Sequence, residues 1–265
     1  MVALTFIIPI RHYESSPNWD TTKKNLASTI NSINSQTSDN WRCIIVANRG
    51  SSLPPLPEKV HVHWVDFPPN HNYNRNSSNH SDFVKSIRID KGLRIAAGIN
   101  YSRETDYYMF VDDDDFINNK LVQFVEQNPD SNGWYFHTGL IWRSNSSYIF
   151  KQDNFSKFCG TSHIISQKLI PKDIDTNNNL TYVENMLGSH TKIEDILKNN
   201  NTPLRKLPFH GAVYHIGHND THSNLSGYFR YIFNRESISN PLLIIKKFRS
   251  LKKMDRNTLS TFFGN

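Results

Sequence analysis

The residues best equipped to do chemistry in this chain are four consecutive aspartates, Asp112, Asp113, Asp114 and Asp115. They stand directly behind the apolar run Tyr107, Tyr108, Met109, Phe110, Val111. Neighbouring carboxylates repel one another, so a buried strand that ends in such a cluster needs a compensating cation. Side chains two apart on an extended segment point the same way. Asp112 and Asp114 are therefore expected to converge on one ion, while Asp113 and Asp115 face elsewhere. Ligation by oxygen alone favours Mg²⁺ or Mn²⁺ over zinc. The plainer alternative is an acidic turn that coordinates nothing.

The elements that must position this run alternate between strand and helix signals. Residues 4–9 read as a buried strand. Residues 22–36 read as a helix, with Leu26, Ile30 and Ile33 at helical spacing, and 42–47 as a second buried strand. A loop at 48–57, rich in Gly, Ser and Pro, leads to a third strand, Val60–Val65, whose His61 and His63 alternate with apolar residues. The polar stretch 68–81 has no apolar period and reads as a loop near the site. A helix over 82–101 then delivers the chain to the strand that ends at the aspartates. Such alternation implies an α/β fold with a mostly parallel sheet, and it puts the aspartates at a C-terminal strand edge, where open α/β sheets bind ligands. Beyond 118 the reading is a short helix at 120–127, strands at 133–142 and 148–150, a turn at Cys159, Gly160, Thr161, Ser162, and a helix at 191–198.

The 265 residues, 37% hydrophobic and 12% aromatic, are enough for a sizeable core. Residues 2–10 are apolar but short, with no basic stretch before them, and read as a first strand and not as a signal peptide. The two cysteines, Cys43 and Cys159, have no zinc-site spacing and fit a reducing compartment, so a cytoplasmic location is expected. With 30 Lys+Arg against 24 Asp+Glu the net charge is +6, which suits anionic partners without choosing among them. Lys246, Lys247, Arg249, Lys252, Lys253 and Arg256 are interleaved with apolar residues near the C-terminus. This is a basic amphipathic segment suited to peripheral membrane contact at the cytoplasmic face, or to packing with a solvated basic side.

Several motifs in order bring a family into view. They are Ile7-Ile8-Pro9 at the first strand, Leu26, Thr29, Ile30, Ser32, Ile33, Gln36 and Thr37 along the helix, Trp41 with Ile44-Ile45-Val46, and Val111-Asp112 with Asp114-Asp115. Together they resemble the family 2 glycosyltransferases of the GT-A fold, well over residues 2–118 and loosely beyond. The resemblance implies an α/β/α sandwich over 1–222, with a nucleotide-sugar half (1–118), an acceptor half (119–222) and a basic helical extension at 223–265. It also implies a UDP-sugar donor and a glycan or lipid-linked saccharide acceptor, with no nucleic-acid partner. The expected activity is inverting glycosyl transfer in bacterial surface polysaccharide assembly. A divalent metal, Mn²⁺ or Mg²⁺, would bridge the donor diphosphate to Asp112 and Asp114, where it would stabilise charge on the departing phosphate.

By the same resemblance, Pro9, Arg11 and His12 contact the donor, and Asp112 and Asp113 lie beside it. The second strand end departs from the family pattern, because Asn48 stands where an acidic residue usually receives uracil. Asp66 and Lys91, with Asp90 and Arg94, are the substitutes in reach. The family's helix-opening Glu-Asp pair matches Glu194 and Asp195, which makes Asp195 the expected base and Glu194 its partner. The helix dipole alone also favours acids there, and Glu184 and His190 compete for the role. A C-terminal histidine often completes the metal shell in this fold. His218 is the first candidate, followed by His222 and then His215, which as part of an apolar strand reads better as a core residue. Acceptor contacts fall by elimination on Trp134, Trp142 and the 159–162 turn. The alternatives are a nucleotidyltransferase, which should carry a Gly- and Lys-rich loop after the first strand where this chain has none, and a glycan- or metal-binding module without turnover.

Overall fold

The computed structural model describes residues 1–70, 80–171, 173–176, 178–216 and 250–264. Its first half is built from β1 (Val2–Pro9), α1 (Trp19–Asn34), β2 (Trp41–Asn48), β3 (Val60–Val65), α2 (His80–Tyr101) and β4 (Thr105–Phe110). All four strands run parallel, in the spatial order β3, β2, β1, β4. Their middles are apolar on both faces, as a sheet covered on both sides requires. One face packs Leu4, Phe6, Ile8 and Ile45 against Leu26, Ile30 and Ile33 of α1. The other packs Ile7, Ile44 and Val46 against Ile95, Ala96 and Ile99 of α2. α1 begins at Trp19, earlier than its apolar period suggests, because the Asn18 side chain accepts from Thr21 N at 3.0 Å and caps it.

The chain next forms β5 (Phe116–Ile117), α3 (Leu121–Glu126), β6 (Gly133–Tyr135), β7 (Thr138–Arg143), β8 (Tyr148–Asp153) and β9 (His163–Ser166). A three-residue helix α4 (Leu180–Tyr182) continues into a π-helical turn Val183–Leu187, followed by α5 (Ile193–Asn199), β10 (Arg205–Lys206) and β11 (Ala212–Ile216). The described C-terminal residues are β12 (Leu251–Lys253) and α6 (Arg256–Phe262). The first sheet is completed antiparallel by β9 against β4, then by β6 and β10. It has seven strands in the order β10, β6, β9, β4, β1, β2, β3. A second sheet of five strands runs β12, β8, β7, β11, β5. The fold is thus α/β, with a mostly parallel first sheet and a mixed second one.

Two expectations are corrected here. The single strand expected at 133–142 is two strands in different sheets. Phe136 and His137 form the corner between them, and Phe136 N bonds Ser162 O at 2.9 Å. The C-terminal extension is not purely helical either. Leu251–Lys253 pairs antiparallel with β8, and α6 then seats Phe262 against Phe116, Leu140 and Val213. Most of the basic amphipathic segment lies in 217–249, outside the described residues. No helix among the described residues is long and apolar enough to cross a membrane.

Candidate functional site

β1, β2 and β3 are added in one direction, whereas β4 lies on the other side of β1, so the strand order reverses between β1 and β4. In a parallel sheet this reversal opens a crevice beyond the carboxyl ends of the two strands. The chain leaves β1 there through Pro9, Ile10 and Arg11, and leaves β4 through Val111 and Asp112. Val111 N still bonds Ile7 O at 2.9 Å. The aspartates therefore flank the switch point of the sheet.

Beyond Val111 the chain does not stay extended. Asp115 N reaches back to Asp112 O at 3.3 Å, so Asp112 to Asp115 form a turn. The alternation expected to aim Asp112 and Asp114 together does not apply to a turn, and each aspartate takes its own environment. The Asp112 N–H donates across the site to Thr161 Oγ1 at 2.9 Å, and its carboxylate is ion-paired with Lys91 Nζ of α2. Burial works against the charged form of Asp112. The charge and hydrogen bond of Lys91 more than offset it, aided by Arg11, and hold the carboxyl below its ordinary range. Burial likewise opposes the Lys91 charge, but Asp112 outweighs it and raises the ammonium pKa.

Among the described residues Asp113 has no such ion-pair partner. Burial and then the Asp114 charge push its pKa up to about 7 against the counter-pull of Arg11. Asp115 is fully buried. Burial, Asp114 and Asp112 raise it well above an ordinary carboxyl, although His215 N donates to it at 3.1 Å and Cys159 Sγ at 3.2 Å. Asp115 thereby supports the loop. It ties the turn to β11 and to the 159–162 segment.

A cleft of about 340 Å³ opens over the Lys91–Asp112 pair. α2 contributes Val84, Ile87, Arg88 and Lys91 to its wall, and Gly160, His190 and Tyr214 line the rest. Gly160 is required by close approach, since a Cβ there would lie 2.4 Å from Asp112 Oδ2 and 2.7 Å from Lys91 Nζ. His190 is brought in by the turn after the π-helical segment. Burial and then the Lys91 charge lower its pKa to about 4, against the attraction of Asp112, so it is a neutral imidazole at pH 7. Tyr214 is pushed up to about 12, by burial first and Asp115 second, and stays a neutral phenol.

The other expected site residues are distributed unevenly. Asp195 is exposed on α5 and does not line the cleft, whereas its neighbour Glu194 turns inward. Glu194 accepts from Ser156 Oγ at 2.6 Å, with Lys157 Nζ at 3.8 Å and His163 Nε2 at 3.7 Å. Burial opposes its charge, and His163 with Ser156 outweighs it, so its pKa is lowered. Glu184 sits in the π-helical turn.

Asn48 is 3% exposed and engaged at both ends of its amide. It donates to Phe67 O at 2.6 Å and accepts from Arg94 Nη1 at 2.7 Å. Arg94 is itself buried and held by Asp90 at 3.1 Å. Asn48 is therefore a buried packing residue whose amide oxygen accepts from a buried guanidinium. His12, also buried, accepts from Glu14 N at 3.1 Å, and its pKa is lowered first by burial. Asp66 is exposed and pairs with Arg49 at 3.2 Å.

Trp134 is core, edge-on to Phe124 and tilted on Tyr107, which removes it from the acceptor contacts. Trp142 stacks on His215 at 4.7 Å, and His215 bonds Ser144 Oγ at 2.7 Å, the core role expected for that histidine. His218 and His222 lie outside the described residues. No cluster of three or more His, Cys, Asp or Glu side chains among the described residues could by itself hold a metal.

Sequence reasoning missed one working part. Gln36, which entered only as part of a family pattern, clamps the segment that follows the aspartates: its Nε2 donates to Asn118 O at 2.9 Å and its Oε1 accepts from Val122 N at 3.0 Å. Ser32 Oγ accepts from Ile117 N at 3.1 Å, and Thr37 N donates to Asn119 O at 2.8 Å. The end of α1 is thereby riveted to β5 and the start of α3. An amide three residues past a buried helical stripe was the signal available.

No family model matches this chain, and no curated protein does. Among solved structures, the manganese complex of Rv0371C from Mycobacterium tuberculosis H37Rv is similar over 81% of this chain and 91% of that one, at 9% identity and a TM-score of 0.38. At that level the likeness establishes neither fold family nor activity.

Proposed function

We propose that the chain is a metal-dependent glycosyltransferase of GT-A type, moving a sugar from a nucleotide-diphosphate donor, a UDP-sugar first, to a saccharide or lipid-linked saccharide acceptor. The observation that carries this reading is the acidic turn at the β1/β4 switch point, facing a cleft that also holds a lysine and a neutral histidine. A cation fits the donor set. Asp113 and Asp115 are driven up by burial and by the charge of their neighbours, a deficit of positive charge that a divalent ion would relieve. Mg²⁺-type sites commonly use one or two carboxylates, with water and substrate phosphate completing the shell, so a third protein ligand is not needed. Asp112, which lines the cleft, would hold the ion, and Asp114 of the same turn would be drawn to it; the ion would neutralise charge on the leaving diphosphate.

In this reading Lys91 turns from Asp112 toward the diphosphate, and Arg11 adds positive charge at the end of β1. His190 takes the base role in place of the exposed Asp195. As the acceptor oxygen bonds to the anomeric carbon and the diphosphate leaves with its electron pair, the hydroxyl proton passes to the imidazole. The negative charge of a bound donor raises the pKa of His190 toward the range where a base works well at neutral pH.

Calorimetric titration with UDP- and GDP-sugars, with and without Mn²⁺, tests the reading. Absence of nucleotide binding in either condition overturns it. Donor turnover by the wild type but not by Asp114→Ala separates a transferase from a passive binding module.

A further inference from the structure

A second cleft, of about 450 Å³, lies away from the aspartates between the five-stranded sheet and α6. Its floor is apolar, with Leu140, Ile149, Phe209 and Phe262. Its rim is basic, with Lys120 from the start of α3, Lys151 from β8, and Lys252 and Lys253 from β12. The opposing charge on the lining is Asp255, whose carboxylate already accepts from Thr258 N at 2.7 Å and caps α6.

The lysines are not distributed as ordinary surface charges. Lys252 stands opposite Ile149 in the β12–β8 register, and Lys151 is two residues farther along β8, so both project from the same face as diagonal neighbours about 7–8 Å apart. Like charges so placed repel one another, and among the described residues none of the four lysines has an ion-pair partner within 4.0 Å. His210 on the lining registers the same field: burial first lowers its pKa, and Lys151 and Lys252 add to it, against the Thr138 hydrogen bond and the Asp153 charge. An excess of positive charge, four lysines against Asp255, around a concave, partly apolar floor is complementary to an anion that also carries a ring or aliphatic surface.

From this convergence we infer a second binding site, for a saccharide bearing carboxylate or phosphate groups. The lysines would meet the charges, Phe209 would take a sugar face, and Asn118, Asn257 and Thr261 would supply hydrogen bonds. A membrane surface suits the site less well, because Ile149 and Phe262 are buried at its base instead of standing out for insertion. The inference stands on this cleft alone and does not depend on the reading of the aspartate site.

The test is calorimetric titration of the full chain with tetragalacturonate, the neutral maltotetraose and phosphatidylglycerol vesicles, at about 50 mM and about 500 mM salt. Tetragalacturonate is expected to bind, more weakly at high salt, and maltotetraose not to. Lys151→Gln/Lys252→Gln should weaken binding by about tenfold or more, whereas Lys23→Gln/Lys24→Gln, on α1, should leave it unchanged. All four lysines are exposed or on the α1 surface, and matching thermal melts establish that the variants fold. Equal binding of the neutral sugar, unchanged affinity in the first double variant, absence of saccharide binding, or binding to vesicles alone would each overturn the proposal.

Discussion

Removing the Lys91 ammonium should turn the best-compensated carboxylate of the site into its most strained one. The pair is partly buried, with 22% of the lysine side chain and 29% of the aspartate side chain exposed. At hydrogen-bond separation and an effective dielectric near 20 the attraction is about 4–5 kcal/mol, and desolvation of both partners with residual screening reduces the net coupling to about 1–3 kcal/mol. The perturbation is Lys91→Met, which keeps the aliphatic stem, combined with Asp112→Asn in a double-mutant cycle. The assay is urea unfolding without divalent metal, from pH 8 to pH 4.

The two partners give opposite pH signatures. Asp112 has a lowered pKa in the folded protein, so its contribution is present above the unfolded value of 3.8 and is lost as pH falls through the lower folded value. In Lys91→Met burial, the largest influence on Asp112, is opposed only by the lesser charges of His190 and Arg11, and the folded pKa of Asp112 should move above 3.8. The variant should therefore be destabilised most at pH 7–8 and recover toward the wild type as acid protonates Asp112. Lys91→Met/Asp112→Asn should be more stable at pH 7 than Lys91→Met alone. A destabilisation that does not change with pH, or a coupling indistinguishable from zero, would refute the reasoning.

The remaining expectations concern the same neighbourhood. His190 titrates at about 4 when folded against 6.5 when free, so the protein should lose stability as pH falls between those values, by up to about 3 kcal/mol before residual exposure is discounted. His190→Gln should flatten that part of the stability curve and reduce turnover by about 10²–10⁴, read by donor consumption. Asp115 is raised when folded, so its contribution is fully present below 3.8 and is lost as pH rises; Asp115→Asn should be neutral or stabilising in urea melts at pH 8 without metal, and a loss of several kcal/mol there would contradict the environment described. Gly188→Ala would place a Cβ 1.8 Å from the Arg88 carbonyl oxygen, backbone against backbone, and should cost about 2–4 kcal/mol in chemical denaturation. Gly160→Ala meets only the tips of the Asp112 and Lys91 side chains, and should cost less stability while weakening their pairing in the double-mutant cycle.

The parallel half was legible because its signals are local. The continuous apolar runs of β1, β2 and β4, with the stripe Leu26, Ile30, Ile33, specify strands and a helix whatever the rest of the chain does. The acidic turn at the end of β4 followed from these. Its internal geometry did not, since the backbone leaves the extended state at the first aspartate, and the contact that bends it, Asp115 with His215 N, spans a hundred residues of sequence. The partition of 133–142 into two sheets was hidden for a similar reason. Trp134 and Leu140 are equally apolar, and only long-range pairing with β9 or with β11 distinguishes them. At position 48 the residue type suggested a ligand contact, and the buried Arg94 that it serves comes from a helix far along the chain.

The acidic turn is also a connection between the two sheets, joining β4 of the seven-stranded one to β5 of the five-stranded one, as the β6–β7, β8–β9 and β10–β11 segments do elsewhere. Mechanically it is a joint. Its far side is pinned to α1 by Gln36 and Ser32, and its middle is tied through Asp115 to β11. A change in the angle between the sheets would be shared among these connections, the acidic turn included, and would alter the spacing of the carboxylates. The same connection runs in reverse: a cation that draws the carboxylates together tightens the link between the sheets, so its occupancy should register as slower amide exchange in β5 and β11, well beyond the side chains it touches.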